Sequence, residues 1–327
     1  MAGQHGRVVV TGAGGFIGHH LVARLKREGR WVRGVDIKPP EFGETAADEF
    51  EILDLRRWPG ALQATRGADE VYALAADMGG MGFIENNKAL CMLSVLVSTH
   101  MLVAAREAGV ERFFYSSSAC VYAAGKQSSP DVTALREEDA YPAQPEDGYG
   151  WEKLFSERMA RHFAEDFGIK ARVARYHNVY GPHGTWEGGR EKAPAAICRK
   201  VATAKLTGER RIEIWGDGQQ TRSFTYIDDC LDGTLRLMAS DVEEPLNIGS
   251  SQLVTINELV DIVSEVAGVQ LKREYILDAP QGVRGRNSDN TRILSLLGWE
   301  PSTTLQDGLA KTYAWVHDQV AASLVRP

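Results

Sequence analysis

Long apolar runs, paired cysteines and an excess of positive charge are all missing from these 327 residues, and each absence removes a class of function. Against 44 Asp and Glu stand 37 Lys and Arg, a formal charge of -7, so no broad basic field invites a nucleic-acid backbone. An anionic ligand must instead be met by a local cluster of cations. No apolar run reaches the roughly 20 residues of a membrane span, and Met1 to Arg7 lack the apolar stretch of a secretory signal. A cytoplasmic protein without nucleic-acid or membrane partners is expected. Cys91, Cys120, Cys198 and Cys230 form no Cys-x-x-Cys pair, and the histidines lack ligand spacing, so neither zinc nor a disulfide frame is expected. Free cysteines usually serve as small buried hydrophobes. Internal repeats and low-complexity tracts are also absent.

What is present is alternation. The β-branched run from Arg7 to Val10 breaks at glycine, and from Phe16 the apolar Ile17, Leu21 and Leu25 recur at helical spacing. Gly29 closes that helix, and Trp31 to Asp36 reads as the second strand of a βαβ unit. Strands are expected again at Phe50–Leu53, Glu70–Ala75, Arg112–Ser117 and Ala171–Arg175, with helices at Ile84–Ala108 and Tyr149–Phe167. Phe155, Met159, Phe163 and Phe167, four apart, are expected to bury one face of the latter. This order defines an α/β fold, a doubly wound parallel sheet of Rossmann type. From Gly181 the pattern yields to Gly- and Pro-rich loops, which read as a smaller C-terminal α/β lobe that binds substrate. The expected division is residues 1–178 for the cofactor and 179–327 mainly for substrate, with segments near 223–250 returning to complete the sheet or the lobe.

Gly12, Gly15 and Gly18 stand three apart at the first strand-to-helix turn, where missing side chains let backbone N–H groups approach a pyrophosphate at the helix N-terminus. Phe16 and Ile17 complete that turn. Asp36 ends the second strand, where a carboxylate accepts from ribose hydroxyls and repels a 2′-phosphate; NAD is therefore expected over NADP, although Lys38 stands close by. Asp54 either faces the adenine or caps a helix ahead of Leu55. Tyr149 and Lys153, at i and i+4, project from one helical face, with the ammonium expected to lower the phenol pKa. Such a phenolate can take a proton from a sugar hydroxyl while a hydride leaves the same carbon. Ser118, at the end of the fifth strand, is placed to orient the reacting oxygen.

In this order the glycine turn, Asp36, Ser118, Tyr149 and Lys153 resemble the extended short-chain dehydrogenase/reductases. The segments Ala76–Phe83, Ser118–Cys120, Tyr180–Trp186, Gly188–Ala196 and Gly282–Asn290 are similar to those of the GDP-mannose 3,5-epimerase family, over roughly Arg7 to Gln319. The resemblance implies a homodimeric NAD-dependent isomerase acting on a GDP-sugar, with contact through the helices from Ile84 and Tyr149. It implies that Cys120 and Lys192 form the acid/base pair that inverts the carbons beside a transient C4 ketone. It further implies substrate contacts at Gly79, Met81, Glu191 and Ala195, and pyrophosphate contacts at Asn178, Lys200, Arg284 and Arg286. Trp215, Gln220 and Arg222 belong to a loop near the nucleotide, where Arg222 is equally suited to a structural ion pair. Proximity of Cys120 and Lys192 is expected to lower both pKa values. His183 stands where the family has an aromatic residue, and the stretch from Lys200 to Trp215 is longer; both departures bear on sugar or base selectivity. The rival readings are a 4-epimerase, a 4,6-dehydratase, for which Ala119 and Cys120 stand where an acidic pair is expected, and a non-catalytic NAD-binding regulator.

Overall fold

Val8, Val9 and Val10 are fully buried in succession, as a strand covered on both faces requires. They form the centre of β1 (Arg7–Thr11) in a computed structural model that describes residues 6–279 and 282–325. With it run β2 (Trp31–Asp36), β3 (Glu49–Ile52), β4 (Glu70–Ala73), β5 (Arg112–Ser118) and β6 (Lys170–Tyr176), all parallel, in the order β6-β5-β4-β1-β2-β3. Alternate residues face opposite sides. Val8, Val10 and Phe114 pack with helix α1 (Phe16–Arg27), whereas Val9, Phe113 and Tyr115 pack on the side of α2 (Trp58–Thr65). The doubly wound architecture is thus present as expected.

Several boundaries differ from the sequence reading. β4 ends at Ala73 rather than Ala75, because the Leu74 and Ala75 N–H groups donate to Thr11 Oγ1 at 3.2 and 3.3 Å and so leave the ladder. The expected long helix is three: α3 (Met81–Asn86), α4 (Lys88–Met92) and α5 (Ser94–Glu107). Asn87 breaks it at φ -132°, ψ 40°, its side-chain amide donating to the Phe83 carbonyl in competition with the backbone. The 20-residue stretch Lys88–Glu107, with a mean hydropathy of 1.7 over its most apolar 18-residue window, is long and apolar enough by composition to cross a membrane, which corrects the expectation that no such run exists. Here it folds as two helices meeting at Leu93 and packed on α2 and α6 (Asp147–Phe167).

On α6 only the middle of the aromatic series packs inward; Phe155 and Phe167 are exposed. A four-residue step overshoots each turn by about 40°, so the stripe walks around the helix over twelve residues.

Beyond β6 come β7 (Val179–Tyr180), α7 (Ala193–Thr207), β8 (Arg211–Trp215), β9 (Thr221–Ser223), β10 (Thr225–Tyr226), α8 (Ile227–Ala239) and β11 (Leu246–Ile248). Of the segments expected to return to the sheet or the lobe, β11 pairs with β6 and completes the seven-stranded sheet, while β9 and β10 join two small sheets, β10 with β7 and β9 with later strands. The chain closes with β12 (Leu253–Thr255), α9 (Ile256–Ala267), β13 (Lys272–Ile276), β14 (Gly285–Arg286), α10 (Thr291–Leu297) and α11 (Leu305–Val325). One apolar cluster runs from Val8 and Leu21 through Val201 to Leu309 and Val316, so packing is continuous across residue 178.

Candidate active site

A cavity of about 380 Å³ opens at the C-terminal ends of β1, β4 and β5, and two groups of side chains wall it. At one end are Gly12, Gly15, Phe16, Ile17, Gly18, Asp36 and Asp54. Gly12 takes φ +71°, and a Cβ on Gly18 would lie 2.1 Å from the Gly12 carbonyl oxygen, so only glycine permits this turn. No side chain caps the first turn of α1, which leaves its N–H groups for an anion. Asp36 accepts from the Gly14 and Ile37 N–H groups at 2.9 and 2.6 Å. Burial raises its pKa, and those amides act in the opposite direction. This cradle fits a dinucleotide, and the Lys38 ammonium is turned to Glu41 at 3.3 Å. Asp54 is not the helix cap: its Oδ1 accepts from the Arg56 N–H at 3.0 Å in a turn, its carboxylate pairs with the Arg56 guanidinium, and α2 begins only at Trp58.

The other end holds Gly79, Ser118, Tyr149, Lys153, Lys192 and Ala195. The side chain of Met81 lies outside the described residues. Ser118 caps the turn Ala119–Val121, accepting from the Cys120 N–H at 3.2 Å, and its hydroxyl also bonds Tyr149. The Tyr149 phenol is pushed well above its ordinary pKa, by burial first and then by Cys120 and Glu152, against the Ser118 bond. This corrects the expectation that Lys153 lowers it. The Lys153 ammonium donates to the Ser116 carbonyl at 3.0 Å and lies 5.6 Å from the Tyr149 ring, too little to offset the loss of water around a phenolate.

Cys120 is buried with Ile84, Cys91 and Tyr149, and its Sγ accepts from Arg286 at 3.7 Å. Lys192 stands at the N-terminus of α7. Its pKa is lowered, as expected, but the cause is burial; Cys120, the expected cause, acts the other way because a thiolate favours the ammonium. The remaining residues disperse. Arg286 is buried, donates to Gln127 at 2.7 Å and pairs with Glu146. Burial lowers the Arg222 pKa to about 10, with Cys120 opposing. Arg284 makes a bidentate pair with Asp217 at 3.1 and 3.0 Å, and Asn178 donates to the Ser223 carbonyl at 3.0 Å. The Lys200 ammonium donates to the Glu213 carbonyl at 2.8 Å beneath the half-exposed Trp215, while Gln220 donates to the Trp215 carbonyl at 2.9 Å. Glu191 uses both oxygens on its own surroundings, Arg199 at 3.0 Å and the Gly189 N–H at 2.7 Å. His183 stacks on His20 at 5.6 Å and meets Trp315 at 5.5 Å, and it lines a smaller pocket beside the glycine turn with Gly15, Phe16 and Lys38.

The sequence reading did not single out Asp77, Glu146, Glu152 or Arg190, all of which touch or line the site. Opposite charges within the segments Ala76–Phe83 and Gly188–Ala196 were the available signal for Asp77 and Arg190.

A glycine turn at a helix N-terminus, a strand-end carboxylate and a Tyr/Lys pair beside a serine on a doubly wound sheet define an NAD-dependent enzyme of the extended short-chain type. Residues 8–249 match the NAD dependent epimerase/dehydratase family, and the chain belongs to it. It is 51% identical over 96% of its length, and 82% of the relative's, to GDP-mannose 3,5-epimerase 1 of Oryza sativa subsp. japonica. To GDP-mannose 3,5-epimerase of Arabidopsis thaliana it is 49% identical over 96% of this chain and 83% of the relative. Among solved structures, UDP-glucose 4-epimerase of Thermotoga maritima with UDP-glucose superposes with a TM-score of 0.86 at 26% identity, covering 96% of this chain and 99% of that one. MoeE5 in complex with UDP-glucose and NAD gives 0.80 at 30% identity, covering 96% and 100%. The chain is an NAD-dependent nucleotide-sugar epimerase, an isomerase.

Proposed function

We propose that the substrate is GDP-mannose and that the enzyme inverts C3 and C5 to give GDP-L-galactose. The observation that supports this reading is a thiol and an amine in the surroundings of Tyr149: Tyr149 and Lys192 wall the same cavity, and Cys120 is buried against Tyr149 and acts on the Lys192 ammonium. Hydride transfer at a single carbon needs Tyr149 alone; a thiol and an amine are needed when C–H bonds next to a carbonyl must break and reform. Gly12, Gly15, Gly18 and Asp36 hold NAD, which when bound accepts a hydride from C4 and later returns it. Tyr149 in its phenolate form takes the O4 proton, becomes the phenol that burial favours and later gives the proton back; Ser118 fixes that oxygen and Lys153 anchors the helix end. With C4 a ketone, Cys120 removes a proton from one ring face and Lys192 delivers one to the other. The relatives named above, which share about half of this chain's residues, support the choice of guanine nucleotide.

Purified holoenzyme incubated with GDP-mannose in deuterated water is expected to place deuterium at C3 and C5. A change at C4 alone would identify a 4-epimerase, and loss of water a 4,6-dehydratase; either would overturn the reading.

The division into residues 1–178 for cofactor and 179–327 for substrate belongs to the same proposal. Added NAD should slow amide hydrogen exchange in the first region, and added sugar nucleotide should slow it in the second; protection by both ligands in one region alone would reject the division. Met92, Leu93 and Leu96 with Trp151 and Phe155 leave an exposed apolar face on α4, α5 and α6, which supports a homodimer. A solution mass of one chain would refute that. Four free thiols and a charge of -7 support a cytoplasmic enzyme without nucleic-acid or membrane partners, which cell fractionation tests.

A further inference from the structure

The loop after β4 and the loop leading to Lys192 lie more than a hundred residues apart in the chain, yet they are stitched together. The Gly80 N–H donates to the Arg190 carbonyl at 2.9 Å. Their backbones approach so closely that a Cβ on Gly80 would sit 2.4 Å from the Glu191 carbonyl oxygen. Across this contact the Arg190 guanidinium covers the Phe83 ring at 3.8 Å, and its Nη1 donates to Asp77 Oδ1 and to the Met78 carbonyl, each at 3.4 Å. Asp77, Arg190 and Lys192 all wall the same cavity.

An exposed Arg–Asp pair contributes little on its own, and Arg190 is 45% exposed. The weight lies in where the contacts converge. Gly188 and Gly189, just upstream, take φ +86° and +85° with open space where side chains would be, and the hold on this stretch from its own side is the Gly189 N–H on Glu191, which pairs with Arg199 of α7. Arg190 adds the side-chain tie of that segment to the loop after β4, two residues before the ammonium that must reach a carbon of the sugar. Downstream, α7 fixes the backbone from Ala193. Without that tie, the loop of Lys192 would be held from the α7 side alone, by the helix and by the Glu191–Arg199 pair.

We propose that Arg190 is a positioning residue: by bridging Asp77 and Phe83 it locks the loop of Lys192 against the loop after β4, and so sets the Lys192 amine for proton transfer to carbon. This rests on the proton-transfer role given to Lys192 above. Misplacement of a reacting group by about 1 Å costs on the order of 100-fold, so Arg190→Met should slow solvent-deuterium exchange at the sugar carbons about 10- to 100-fold. Nicotinamide reduction in a single turnover should stay near the wild-type rate, and the loss should fall on kcat rather than KM. Arg190→Lys keeps the charge but not the planar stack and should restore part of the exchange.

The experiment uses the full-length holoenzyme with GDP-mannose, monitors thermal melting alongside, and includes Lys192→Met as reference. Asp77→Asn, which spares the Phe83 stack, gives a second reading in case Arg190→Met fails to fold; its exchange should fall in the same direction by less. Normal exchange in both Arg190→Met and Asp77→Asn, with exchange abolished in Lys192→Met, would overturn the proposal. So would an equal loss of hydride transfer and exchange, the mark of general loosening. Normal exchange in Lys192→Met would instead overturn the reading on which it rests.

Discussion

Cys120→Ala is expected to lower the rate of C3 and C5 exchange by about 100- to 10,000-fold, the range for removal of a general acid or base, while NAD bound to the protein is still partly reduced by substrate. The split follows from the geometry. Tyr149, Ser118 and Lys153, to which the proposal assigns the C4 hydroxyl, are held by β5 and α6, and the Cys120 sulfur bears on them only through its packing against Tyr149 and its upward push on that phenol's pKa: Ser118 meets the Cys120 backbone N–H, which alanine retains, and Lys153 is tied to the Ser116 carbonyl. The sulfur instead faces Arg286, which is itself tied to Gln127 and Glu146. Removing it leaves the oxidative half intact and strands a ketone whose neighbouring C–H bonds have lost their partner. Stopped-flow absorbance of the nicotinamide, read beside deuterium incorporation, measures the two halves in one sample. Equal loss in both would mean that Cys120 shapes the site without handling a proton.

What could be read from the sequence and what could not divides along chain separation. Gly12 to Gly18, Asp36, and Tyr149 with Lys153 are local patterns whose spacing maps directly onto a turn, a strand end and a helical face, and each stands in the cavity wall as expected. The long helix from Ile84 was misjudged because Asn87 turns its amide onto the Phe83 carbonyl, a choice that periodicity does not record. Arg286 and Cys120 are 166 residues apart and Arg190 and Asp77 113. No spacing rule predicts that a guanidinium from β14 will meet a sulfur at the end of β5. Electrostatics was misread for a related reason: the sign of a neighbour's influence on Tyr149 is visible in sequence, but the burial that outweighs it is a property of the assembled site.

That assembly depends on one buried ion pair, and breaking it carries the largest expected cost in stability. Arg175 on β6 makes a bidentate contact with Glu157 on α6, Nε to Oε1 at 2.9 Å and Nη2 to Oε2 at 2.7 Å, with the side chains 2% and 3% exposed. Burial alone would lower the Arg175 pKa; the Glu157 carboxylate and Tyr122 outweigh it and raise it. Glu157 also bonds the Ser117 hydroxyl, and Arg175 donates to the Glu137 carbonyl at 2.6 Å, so the pair joins β5, β6 and α6 directly below Ser118. Arg175→Met leaves a carboxylate buried without its counter-ion and should destabilise the fold by about 3–5 kcal/mol, read from denaturant midpoints. Because the penalty comes from the stranded charge, Glu157→Met in the Arg175→Met background should recover part of the loss. Without that recovery the cost would lie in lost packing or in the bonds to Ser117 and Glu137, and the pair could no longer be credited with fixing the strand end that carries Ser118.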